Sequence, residues 1–122
     1  MSAPRVLVVE DDPPIARLVA RTARLEGGDV TIVADGLLAR DAWERGSFSL
    51  VLLDAMLPGL DGLTLAQQMR LAGDHTPVVL LTARQLREIG EIARDAKIDE
   101  VLAKPFAYEE LVAILRRYLH GI

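Results

Sequence analysis

A parallel α/β fold is predicted by two features of this sequence: short runs of branched apolar residues recur along the chain, and each is followed by a stretch of helical period. Runs that are apolar throughout suit strands buried on both faces, as in a parallel sheet covered by helices. The first run is Val6-Leu7-Val8-Val9. After it, Ile15, Leu18, Val19, Thr22 and Leu25 fall at i, i+3, i+4, i+7 and i+10, which predicts a helix with one buried face, Asp12 as its N-cap and Pro13 at its first position. A weaker strand at Val30 to Ala34 leads to a helix at Leu37–Arg45, and Leu50-Val51-Leu52-Leu53 leads to a helix at Leu63–Ala72. Val78-Val79-Leu80-Leu81 precedes a helix at Arg84–Ala96, and a short strand at Val101 to Ala103 precedes a last helix at Tyr108–Leu119. Strand then helix, five times over, implies right-handed crossovers and helices on both faces. In open sheets of this kind the site lies at the carboxyl ends of the strands.

Composition narrows the function classes. A chain of 122 residues fits one domain, 1–122, that buries roughly two-thirds of its unfolded surface. No apolar run approaches the ~18 residues that a membrane span needs, and the opening MSAPRVLVVEDD resembles no export signal, so a soluble, cytoplasmic protein is expected. The absence of cysteine excludes thiolate catalysis, disulfides and Cys-based zinc sites. A net charge of −4 with no cluster of Lys and Arg argues against direct nucleic-acid binding.

Chemistry-bearing residues gather at the predicted strand ends. Strand one ends in Glu10-Asp11-Asp12, strand three in Asp54, strand four in Thr82, and strand five in Lys104-Pro105. Carboxylates that close repel one another unless a cation or hydrogen-bond donors compensate. An oxygen-rich cluster suits magnesium, which takes one or two protein carboxylates and keeps several waters. A carboxylate nucleophile, a magnesium site, a lysine and a hydroxyl are what in-line phosphoryl transfer onto Asp54 requires. Taken singly, each piece has a plainer reading: the acidic run as a helix cap, Asp54 and Lys104-Pro105 as turn residues, Thr82 as a local cap. Four strand ends carrying the required types together favour the site.

These residues resemble response-regulator receiver domains. The acidic pair after VLVV, the segment DAMLPGLDG from Asp54 to Gly62, LTAR from Leu81 to Arg84 and KPF from Lys104 to Phe106 come in the family's order, and the resemblance covers the whole chain. It implies a flavodoxin-like (βα)5 sandwich with strand order 2-1-3-4-5. Asp54 would be the phosphoacceptor. A Mg2+ (or Mn2+) ion would be held by Asp11 directly, by Glu10 mainly through water, by Asp54 and by the backbone carbonyl of Met56. Thr82 and Lys104 would contact the phosphoryl group, and the Lys104-Pro105 bond would be cis. Asp12 falls outside the acidic pair and keeps its cap reading. The implied partners are a histidine kinase or a histidine phosphotransfer protein and an output partner or effector domain on the face of helix four, strand five and helix five, with a homodimer also open. No turnover of an external substrate is expected.

The sequence also departs from the family pattern. Val101 stands where receivers usually carry Tyr or Phe, so coupling between Asp54 and the output face is expected to be weaker or differently built. Position 97 is Lys where many relatives have Gly, and Ile114 stands where DNA-binding relatives often have Arg, which leaves dimer geometry open. Met56 and Arg84, at the positions that govern water attack on the acyl phosphate, are neither acids nor amides, so slow self-dephosphorylation is expected. Helix five, with Leu111, Val112, Ile114, Leu115, Tyr118 and Leu119, has more apolar positions than one buried stripe needs, and a partner surface there competes with plain core burial. Ile15 and Leu18 read as core rather than docking residues, and Trp43, His75 and His120 carry no assigned role. Two alternatives remain: a haloacid-dehalogenase-like phosphatase, which the absence of a second Asp at Met56 disfavours, and a receiver-fold adaptor independent of phosphorylation.

Overall fold

The computed structural model describes residues 2–83 and 86–122, without the side chains of 86–89 and 92. Ten elements alternate: β1 (Arg5–Val9), α1 (Pro13–Leu25), β2 (Asp29–Val33), α2 (Gly36–Arg45), β3 (Leu50–Asp54), α3 (Gly62–Leu71), β4 (Val78–Thr82), α4 (Leu86–Asp95), β5 (Glu100–Ala103) and α5 (Tyr108–His120). All five strands pair in parallel in the order β2-β1-β3-β4-β5. The predicted element order and strand order therefore hold. Boundaries move by one or two residues, and the first two residues of the predicted fourth helix lie outside the described residues.

The continuous apolar runs form strands because each residue has a helix above or below it. Leu7, Val9, Val51, Leu53, Val78 and Leu80 pack on one face with Ala39, Leu63, Leu65, Ala66, Met69 and Ala96 of the α2, α3 and α4 side. Val6, Val8, Leu50, Leu52, Val79 and Leu81 pack on the other with Val19, Ala23, Leu111, Ile114 and Leu115 of α1 and α5. Alternate residues of one strand thus serve opposite layers, and each fully buried Leu or Val contributes about 1.5–3 kcal/mol. The surplus apolar positions of α5 are largely accounted for here, because Tyr118 and Leu119 also pack against this second cluster.

The face of α1 is corrected in part: Val19 and Thr22 are buried and Ile15 packs against the second cluster as expected, but Leu18 and Leu25 are not buried. Leu18 is 41% exposed and Leu25 68%, whereas Ala16, Val19, Ala20, Thr22 and Ala23 are buried. Residues 16, 19, 20 and 23 satisfy the same i, i+3, i+4, i+7 spacing, and three of these four are alanines, whose small side chains let the helix lie close to the sheet. Thr22 tolerates burial because its hydroxyl donates to the Leu18 carbonyl at 2.7 Å. Asp12 caps this helix weakly, accepting from the Ile15 N–H at 3.5 Å.

At the end of the sheet away from the predicted site, Asp74 accepts from the Trp43 indole N–H, from Thr76 Oγ1 at 2.6 Å and from the Thr76 N–H at 2.8 Å. Burial works to raise its pKa, but the bonds from Thr76 and Trp43 outweigh it and hold the carboxyl below the usual range. A depressed carboxyl contributes stability that is present above the unfolded value of 3.8 and is lost as pH falls through the folded one. Asp74→Asn is expected to lower stability at neutral pH by about 1–2 kcal/mol and to flatten the acid limb of a urea-midpoint profile. An acid limb as steep as that of the parent would contradict this. Arg70, on α3, donates to the carbonyls of Asp74, Thr76 and Lys97 and to the Asp99 carboxylate, tying the α4–β5 turn to the start of β4. Lys97 sits in that turn at φ +53°, the left-handed region that explains why glycine suits this position. On β5, Glu100 accepts from Arg117 and from the Tyr118 hydroxyl at 2.9 Å, which fastens α5 to the sheet edge.

Candidate functional site

Strand register brings the predicted residues to one edge. Val9 pairs with Leu53, and Asp54 pairs with Leu81, so Glu10, Asp54 and Thr82 follow one another across β1, β3 and β4. The Lys104 N–H donates to the Thr82 carbonyl at 2.7 Å, which carries the lysine to the same edge, and the Lys104-Pro105 bond is cis as the resemblance implied.

The side chains meet. Lys104 Nζ donates to Glu10 Oε1 at 2.5 Å and to Asp54 Oδ2 at 3.3 Å, bridging residues 94 and 50 positions away. Asp54 Oδ1 accepts from the Met56 N–H at 3.1 Å. One carboxylate oxygen each of Glu10, Asp11 and Asp54 lies within 4.8 Å of the others. Glu10 and Asp54 are buried, at 2% and 6% exposure, while Asp11 is open to solvent. Glu10 Oε2 is buried without a hydrogen-bond partner among the described residues. A carboxylate oxygen left so costs several kcal/mol unless a proton or a cation meets it.

The electrostatics follow. Burial, and next the adjacent Asp54 carboxylate, push the Glu10 carboxyl up to about 7, with Lys104 opposing. Burial works against the Lys104 ammonium, but Glu10 and Asp54 outweigh it and raise its pKa. Three carboxylates face one ammonium, so the cluster carries excess negative charge, and its hard oxygen donors, one of them unsatisfied, can hold a divalent metal ion.

Around the mouth, Asp11, Met56, Leu57, Pro58 and Asp61 line a hollow of about 390 Å³, and the Met56 side chain is 59% exposed. Thr82 is 1% exposed, and Val101 packs partly buried against the α2–α3–α4 layer. Arg84 lies outside the described residues. His120 stands 3.7 Å from Glu26, which also accepts from Arg116, and like His75 it is remote in sequence and contact from this cluster.

Gly62 is the residue that sequence reasoning passed over. A Cβ there would lie 2.1 Å from the Asp54 carbonyl oxygen, and the Gly62 N–H donates to the Ala55 carbonyl at 3.2 Å, so the start of α3 rests on the backbone at the end of β3. The signal was present in the Asp61-Gly62 pair, where Asp61 caps α3 by accepting from the Thr64 N–H.

A family model described as a response regulator receiver domain matches residues 6–116. The chain belongs to this family. It is similar to the transcriptional regulatory protein TcrA of Mycobacterium tuberculosis, at 42% identity over 116 residues, covering 95% of this chain and 46% of TcrA. It is also similar to the uncharacterized transcriptional regulatory protein YkoG of Bacillus subtilis, at 41% identity over 119 residues, covering 98% of this chain and 52% of YkoG. The receiver domain thus spans about half the length of these curated relatives. Among solved structures it resembles the receiver domain of the sensor histidine kinase PA1611 from Pseudomonas aeruginosa, which has a magnesium ion coordinated in its active-site cleft; the TM-score is 0.83 at 33% identity, covering 98% of this chain and 99% of that one. Receiver domains are signalling domains of two-component systems, typically without enzymatic turnover. Among the described residues, no helix is long and apolar enough to cross a membrane.

Proposed function

We propose that residues 1–122 form a single phosphoacceptor domain that takes a phosphoryl group onto Asp54 from a histidine kinase or a histidine phosphotransfer protein in the cytoplasm. The observation that carries this reading is the placement of Lys104 Nζ between the Glu10 and Asp54 carboxylates, with Asp11 in reach of both. Asp11, Glu10, Asp54 and the backbone carbonyl of Met56 would hold Mg2+ or Mn2+, Glu10 mainly through water; the unsatisfied Glu10 Oε2 fits that role. Bound there, the ion neutralises charge on the phosphoryl oxygens.

In the transfer, a carboxylate oxygen of Asp54 forms the O–P bond while the N–P bond of the donor phosphohistidine breaks, and its electron pair leaves on the imidazole. Lys104 supplies a fixed positive charge beside Asp54, and Thr82 a hydroxyl at the end of the neighbouring strand. No external substrate is turned over. The gained charge, about one negative unit because the Asp54 carboxylate is itself charged, together with the three new phosphoryl oxygens beside Glu10 and Asp11, biases the domain between two packed states that differ on the face of α4, β5 and α5, where an effector domain, an output protein or a second copy reads it. The transcriptional regulators among its relatives support an output on transcription from a longer chain.

Val101 favours one second reading, an adaptor that binds partners without phosphorylation, because valine cannot sweep the volume of a ring. The two are separated by adding beryllofluoride and magnesium and following amide shifts. The phospho-switch predicts changes around Asp54 that fade towards β5 and extend further in Val101→Tyr; no change around Asp54 would favour the adaptor, and equal changes along β5 in both proteins would remove Val101 as a weak link.

A further inference from the structure

Residues 57–60, between β3 and α3, form an exposed or half-buried loop. Among the described residues, the backbone hydrogen bond that ties this loop to another element comes from Gly36, whose N–H donates to the Pro58 carbonyl at 3.1 Å. Gly36 opens α2 and is buried. A Cβ on it would lie 1.8 Å from the Leu60 carbonyl oxygen and 2.7 Å from Leu60 Cβ. Its backbone lies outside the left-handed region, so the position needs glycine for space and not for conformation. The next residue, Leu37, stands beside Gly59, where a Cβ would meet Leu37 Cγ at 3.3 Å. The same turn also reaches the end of β1, because the Glu10 N–H donates to the Val33 carbonyl at 3.1 Å. Residues 33–37 thus touch both the segment that carries Glu10 and Asp11 and the loop that follows Asp54 and Met56.

We propose that Gly36 is a positioning residue for the divalent cation: it lets the Leu60 carbonyl pass against α2 and bonds the Pro58 carbonyl, and so sets where the Met56 carbonyl stands relative to Glu10, Asp11 and Asp54. The inference rests on the reading of that cluster as a cation site and adds to it a residue that touches neither cation nor phosphoryl group. The start of α2 is the fixed partner in this contact. Asp35 caps it by accepting from the Leu38 N–H at 2.8 Å, and Ala39, one turn on, is fully buried in the core. The loop is the part that gives way, since Met56, Pro58 and Gly59 are exposed. Gly36→Ala therefore displaces the loop and leaves the sheet in place, unlike a Cβ at Gly62, which would press on the end of β3 itself. Magnesium demands near-ideal octahedral geometry, whereas calcium accepts longer and less regular oxygen ligands, so a displaced carbonyl costs magnesium more.

The test titrates the full chain with magnesium chloride and separately with calcium chloride, without any phosphodonor, and follows amide shifts. Gly36→Ala should bind magnesium about tenfold or more weakly, the range in which groups that orient metal ligands act, and calcium only about threefold more weakly, so that the ratio of the two affinities falls. Before any cation is added, its amide shifts should already differ from the parent's at Met56, Leu57, Gly59 and Leu60. Leu37→Ala, which adds no bulk and takes the prop from Gly59, should also weaken magnesium more than calcium, and it decides the matter if Gly36→Ala does not fold. Asp74→Asn, destabilised at the opposite end of the sheet, should keep the parent's affinity for both ions. A parent that binds no magnesium would overturn the cation site itself and this role with it. A parent that binds, with Gly36→Ala (or Leu37→Ala in its place) matching it or losing both ions equally, would overturn the role of Gly36 alone.

Discussion

Gly62→Ala is expected to destabilise the domain by about 3 kcal/mol, at the upper end of what overpacking causes, and to disturb the Glu10–Asp54–Lys104 cluster from behind. The added Cβ would sit 2.1 Å from the Asp54 carbonyl oxygen and 3.2 Å from Ala55 Cα, and these are backbone atoms that no side-chain rotation can move aside. Relief requires α3 to lift from β3, which breaks the Gly62 N–H bond to Ala55 and shifts Asp61, the cap of α3. Gly90→Ala is the natural control. Among the described residues nothing lies within 4 Å of a Cβ there, the position is helical, and alanine is expected to gain about 0.5–1 kcal/mol. Urea melts of both variants read the difference directly; a Gly62→Ala midpoint within error of the parent would mean that the contact is not close in solution.

Lys104→Met is expected to cost about 2 kcal/mol of stability in the absence of divalent cation. The methionine keeps much of the buried stem but removes the only described ammonium in contact with Glu10 Oε1 and Asp54 Oδ2. The loss stays below that of a typical broken buried pair because Glu10 can take up a proton, its carboxyl standing at about 7 even with the lysine present. Magnesium should then restore more stability to the variant than it adds to the parent, since no ammonium competes for the same oxygens. A ligand at about 100 times its Kd adds about 2.7 kcal/mol, well within what a melt resolves. Equal gains in the two proteins would show that lysine and cation do not share the cluster.

Much of this fold was legible because its strands are buried on both faces. Val6 to Val9, Leu50 to Leu53 and Val78 to Leu81 read as strands from local pattern alone, and all twelve residues prove fully buried. The site was legible for a chemical reason: Glu10, Asp11, Asp54, Thr82 and Lys104 are the residue types that phosphoryl transfer needs, each at a strand end. The buried face of α1 was misread at Leu18 and Leu25 because two i, i+3, i+4, i+7 patterns overlap there and share Val19, one starting at Ile15 and one, mostly of alanines, at Ala16, and only the distance of the helix from the sheet chooses between them. Gly62 was passed over for a related reason, since the carbonyl it makes room for belongs to another element. The Trp43 bond to Asp74 and the bridge from Lys104 to Glu10 join residues 31 and 94 positions apart, a pairing that no local pattern encodes.

Whether Asp54 accepts a phosphoryl group with the help of a divalent cation is read from intact mass and phosphate-affinity gel mobility after incubation with acetyl phosphate. The parent, with and without magnesium, is compared with Asp54→Ala. One phosphoryl group should be added only with magnesium and none on the variant, and the label should decay over minutes to hours after the donor is removed. Labelling of folded Asp54→Ala to the parent's extent, or no labelling of folded parent with magnesium present, would contradict it.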